Sequence, residues 1–137
     1  MYLPPNVIQF IQSASRNKIV FCHKLIDGID FVNVGRDLSL QIIGKSDFDD
    51  LQGEVNRTLS RTSENTDIGR YLALYNIGIL FEPELKLNLR SILDNYSKDQ
   101  TLFICDEGQV VDGIFHFFEP SSLFSVDLTG MAFIIIE

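Results

Sequence analysis

Two apolar runs of strand length bracket a helical pattern in the middle of the chain, and no other stretch limits the fold as much. Arg70 to Tyr75 and Thr101 to Cys105 are the runs, and from roughly Leu87 to Tyr96 the apolar residues between them recur at helical spacing. Strands separated by helical patterns predict an α/β layered domain on a mainly parallel sheet.

The N-terminal side repeats the alternation. Pro4 and Pro5 precede Val7, Ile8, Phe10 and Ile11, which fit a first helix running to about Asn17. Lys18 to Cys22 reads as a fully buried strand and Ile29 to Val34 as a second strand ended by Gly35. Leu38, Leu40, Ile42 and Ile43 fit a short helix from Asp37 stopped by Gly44 in a C-cap role. A polar helix is expected from Asp47 to about Glu64, with Phe48, Leu51, Val55 and Leu59 as its apolar stripe. Beyond a turn bracketed by Gly108 and Gly113, Ile114 to Phe118, Phe124 to Leu128 and Met131 to Ile136 give two or three strands, a hairpin-like ending. At 137 residues with 45% hydrophobic content, the chain is read as one domain over 1–137 with a core of its own.

Charge narrows the function classes. The 19 acidic residues outnumber the 11 basic ones for a net charge of −8, so binding that releases counterions from a phosphate backbone has little to draw on, and direct nucleic-acid binding is not expected. No Lys or Arg follows Lys98, while Asp106, Glu107, Asp112, Glu119, Asp127 and Glu137 do, so the last third suits a basic protein partner or a solvated acidic surface. No apolar run approaches the roughly 20 residues that span a bilayer, and no basic-then-apolar leader pattern is seen, so a soluble, cytoplasmic protein without a membrane role is expected. Cys22 and Cys105 have neither CxxC nor Cys/His ligand spacing.

Few residues are arranged for chemistry. Gly44-Lys45-Ser46 is the tail of a phosphate-loop pattern, but Ser39 stands where the leading glycine belongs, and Leu40 to Ile43 reads as a helix face. Asp47, Asp49, Asp50 and Glu54 are dense enough for a divalent-metal site, yet acidic residues at a helix start are also what the macrodipole favours. His116 alternates with Ile114 and Phe118 along a strand, and His23 stands alone in a turn. The two cysteines each end a strand and are read as small buried residues, close together if the strands are neighbours. About eight residues separate the first two strand signals, too few for the usual helical crossover of a dozen or more.

Residues 31 to 119 carry a resemblance. Asn33-Val34-Gly35-Arg36-Asp37-Leu38-Ser39 is similar to an N-L-G-x-E-L-S motif, and Leu80-Phe81-Glu82-Pro83-Glu84-Leu85-Lys86 to a Leu-Phe-Glu/Asp-Pro-x-Leu-Lys turn, both found in the small P-loop protein of type 3 BREX phage-defence systems. Where that family ends its Walker B strand D-N-I-E, this chain has Tyr75-Asn76-Ile77-Gly78. A Walker B carboxylate positions magnesium and its acidic neighbour orients water; a phenol and a glycine do neither. The resemblance implies a P-loop-NTPase-like sheet that has lost its catalytic groups: no enzyme, no cofactor, no metal, and a role as adaptor or subunit of a prokaryotic antiviral complex. The expected surface for a larger protein partner is Tyr75, Gly78, Phe81, Glu82 and Lys86, with Phe117, Phe118 and Phe124 as anchors. Two alternatives stand beside it: a divergent nucleotide hydrolase or metal-dependent nuclease using residues 44–54, and a homo-oligomer paired through Ile134 to Ile136.

Overall fold

The computed structural model describes residues 3–42, 48–82, 85–117 and 125–136, with side chains for all of these except 42 and 48–50. In chain order the elements are α1 (Pro5–Ile11), β1 (Ile19–Cys22), β2 (Val32–Asn33), α2 (Val34–Ile42), α3 (Phe48–Leu59), β3 (Ser63–Asn65), β4 (Gly69–Tyr75), a 3-10 turn (Gly78–Phe81), α4 (Leu89–Ser97), β5 (Thr101–Cys105), β6 (Gln109–Val111), β7 (Ile114–His116), β8 (Ser125–Asp127) and β9 (Phe133–Ile136). The main sheet has the order β2-β4-β5-β1-β9, with β3 pairing onto β4. All of its pairings are parallel except that of β3. A separate antiparallel sheet is made of β6, β7 and β8. The result is a mixed α/β domain on a mainly parallel sheet. The expected hairpin-like ending exists as β6 to β8, whereas the last strand returns to the main sheet at its edge beside β1.

Alternation along the central strands decides which layer each residue joins. Ile19, Phe21, Leu72, Leu74, Leu102 and Ile104 face one side and pack on Val34, Leu38, Val55, Leu59 and Leu93 of the helices and on Phe115 and Val126 of the small sheet. Val20, Tyr71, Ala73 and Phe103 face the other side, where Leu3, Val7, Ile11 and Ile29 cover them. Both faces of β1 and β5 are thus buried, as their unbroken apolar runs require. The second face has a thin cover: α1 and the connection from β1 to β2, in which no helix forms.

Several boundaries differ from the sequence reading for identifiable reasons. The first helix ends at Ile11 instead of near Asn17; Ser13 Oγ donates to the Phe10 carbonyl at 2.6 Å, diverting an oxygen that another helical turn would use. The run Ile29 to Val34 is divided: Ile29 is a core residue of the connection, only Val32 and Asn33 pair with β4, and Val34 opens α2. Gly35 therefore ends no strand; it lies in the first turn of the helix, which begins three residues before the expected Asp37. The polar helix stops at Leu59, and Ser63–Asn65 forms a strand instead of a helical end. β6 was expected as part of a turn; the reversal is confined to Asp112 and Gly113, both at positive φ of 53° and 77°.

Candidate functional site

In open parallel sheets ligands bind beyond the carboxyl ends of the strands, and here those ends form one in-register row. Ile136 stands beside Cys22, Cys22 beside Cys105, Cys105 beside Tyr75, and Tyr75 beside Asn33. The row lies on the thinly covered face, so the β1–β2 connection hangs over it. A cavity of about 440 Å³ opens there, lined by Cys22, His23, Lys24, Leu25, Ile26, Asp27 and Ile136, with Leu25 55% exposed.

The thiols at the centre of the row are not prepared as nucleophiles. Burial pushes Cys22 up to about 12, and the neighbouring Cys105 adds to the shift. Cys105 is also raised, by burial first, with Asp106 and Glu107 raising it further and a hydrogen bond from Cys22 pulling the other way. The expectation that they would be near neighbours holds, because β1 and β5 pair directly.

At the β2 end the two motif segments interlock. Asn33 ends its strand and caps the next helix at once: its Oδ1 accepts from the Arg36 amide at 3.0 Å and from Asn76 Nδ2 at 2.8 Å. Asn76 sits in the left-handed region at φ 55°, which turns its carbonyl toward the Gly35 amide at 2.8 Å. A Cβ at Gly35 would lie 2.5 Å from Asn76 Nδ2 and 3.1 Å from the Asn76 carbonyl oxygen. Gly35→Ala is therefore expected to force the joint apart and to lower stability by about 1–3 kcal/mol, read as a shifted midpoint in urea unfolding. An unchanged midpoint would show that the joint has slack.

The expected partner-binding residues fall into two groups. Gly78, Phe81 and Phe117 come together: the two rings stack at 4.7 Å between centroids, and a Cβ on Gly78 would touch Phe117 at 3.3 Å. Glu82 and Lys86 are exposed beside them. Tyr75 points to the other face of the sheet and meets Phe31 edge-on at 6.4 Å. Phe118 and Phe124 lie outside the described residues, as do Pro83, Glu84 and the tripeptide Gly44-Lys45-Ser46. Of the acidic cluster, Glu54 has a described side chain; it is buried and accepts from Arg57 Nη1 at 2.8 Å, a structural ion pair within α3. Among the described residues no three His, Cys, Asp or Glu side chains converge as metal ligands, and no helix is long and apolar enough to cross a membrane.

No protein-family model, no curated protein and no solved structure matches this chain.

Proposed function

We propose that the protein is a non-catalytic adaptor or subunit of a prokaryotic antiviral defence complex of BREX type, built on a degenerate P-loop-like domain and acting by docking on a larger protein. One observation carries this reading: the carboxyl-edge row is Asn33, Tyr75, Cys105, Cys22 and Ile136, so the strand ends that would hold phosphate, magnesium and a water-orienting acid present amide, phenol, thiol and alkyl groups. The strand order supports the P-loop likeness, since β5 lies between the first strand and β4 as it does in such ATPases. The half-buried rings of Phe81 and Phe117, beside exposed Glu82 and Lys86, supply an apolar anchor with a charged rim.

Tagged protein purified from its native host is expected to bring down one stoichiometric larger protein. Phe81→Glu, at a half-exposed position, is expected to release that protein while circular dichroism stays unchanged. Stabilisation of the wild type by magnesium and ATP, abolished by Lys45→Ala, would instead refute the adaptor reading in favour of a nucleotide-binding one, with phosphate release as the assay for hydrolysis. A second reading has its own support, because among the described residues β9 pairs only with β1 and ends the sheet as a half-buried apolar edge. Pairing of two copies there predicts a dimeric mass in solution.

A further inference from the structure

We infer that the amino edge of the main sheet, opposite the row described above, carries a binding site for a compact phosphate-class oxyanion. β4, β5 and β1 are adjacent, and each is preceded or opened by a cation: Arg70 at the start of β4, Lys98 between α4 and β5, and Lys18 immediately before β1. Together with Ser13 and Ser15 they line one cavity of about 340 Å³. Lys18 is fixed there by its backbone, its amide donating to Ser97 at 3.0 Å and its carbonyl accepting from Leu102 at 2.8 Å.

The cations elsewhere show why this grouping points to a ligand. In this acidic chain Arg16 is held by Asp94, Arg36 and Arg61 by Asp37, and Arg57 by Glu54. Arg90 donates to the carbonyls of Asp127 and Thr129 at 2.7 and 2.5 Å. Among the described residues Arg70 is the arginine without an acceptor, and neither Lys18 nor Lys98 joins an ion pair; Lys98 exerts only a through-space pull on Asp94, whose oxygens Arg16 and Asn17 already hold. Asp99 on the same rim and Glu64, opposite Arg70 in the β3–β4 ladder, offset two of the three charges and leave a net positive charge of one. Three cations round one cavity repel each other, and a tetrahedral oxyanion relieves that repulsion while accepting charge-assisted hydrogen bonds. The hydroxyls of Ser13 and Ser15 lie 3.0 Å apart on the same rim, the single proton of Ser13 being taken by the Phe10 carbonyl. A second cavity, of about 260 Å³, shares Arg70, Asp99 and Gln100 with the first and runs on to Thr62, Asn95 and Tyr96, room for a group esterified to the phosphate.

Thermal shift and calorimetric titration of the full chain with inorganic phosphate test this, with sodium chloride at matched ionic strength as control and AMP and phosphoserine as further arms. Phosphate is expected to raise Tm beyond the chloride control, and Arg70→Met to weaken it about tenfold or more, the loss of one charge-assisted donor. Lys98→Met, at an exposed position after α4, gives the same readout if the arginine variant does not fold. A preference for AMP or phosphoserine over free phosphate identifies the source of the anion. A wild-type response no larger than that to chloride, or one kept in full by both variants, overturns the site. An ATP response lost in Lys45→Ala but kept in Arg70→Met counts against the adaptor reading, while the phosphate titration of the wild type and the two variants alone decides the amino-edge site.

Discussion

Phe103→Ala is expected to lower the unfolding free energy by about 3–5 kcal/mol, enough to leave a domain of this size largely unfolded at moderate denaturant. Phe103 is fully buried on β5, the middle strand of the five that run parallel. Its ring meets Tyr71 edge-on at 5.7 Å and Phe31 at 6.5 Å. Truncation removes the transfer energy of a whole aromatic ring and leaves a cavity between strands that are held in register on both sides, so the walls have little freedom to collapse. The loss extends to the β1–β2 connection, because Phe31 belongs to it. Guanidinium unfolding followed by circular dichroism measures the effect, and a change below about 1 kcal/mol would mean that this face of the sheet does not hold the domain together.

Stability is also expected to fall between pH 9 and pH 12. Burial raises the Cys22 thiol from its ordinary 9.0 to about 12. Below pH 9 both folded and unfolded chains keep the proton and the full stability is present. Between the two values the unfolded chain releases a proton that the folded chain retains, so unfolding becomes progressively easier, by up to about 4 kcal/mol once the folded thiol also titrates. Cys105 and Tyr96, both raised mainly by burial, add slopes of the same sign. Subtracting the curve of Cys22→Ala from that of the wild type isolates the Cys22 part. If both proteins lose stability with the same slope from pH 8 to 11, the thiol is not held as the packing indicates.

Much of this architecture can be read from residue patterns, and the exceptions share one cause. Thr101 to Cys105 and Tyr71 to Tyr75 were legible because both faces of each strand are covered, which leaves an apolar run with no interruption. α4 was legible from its period, and Asn88, whose side chain accepts from the Ser91 amide at 3.1 Å, marks its start. β3 and β6 were not legible: they are three residues each and partly exposed, and they exist because another strand offers them a ladder. The Asn33 cap was open to recognition, as an asparagine before a helical pattern is an ordinary start signal. Its second bond, to Asn76, depends on β2 lying against β4, which local spacing does not encode. The same holds for Lys18, Arg70 and Lys98, far apart along the chain and gathered by the order β4-β5-β1.

The position of β1 governs how this domain is assembled. Ile19 is flanked by Leu102 on one side and Phe133 on the other, so a strand near the beginning of the chain waits for two segments near its end. Closing such long loops costs entropy before any ladder forms. The central ladder therefore forms late, and until β5 and β9 are in place the apolar β1 strand stays open to other pairing.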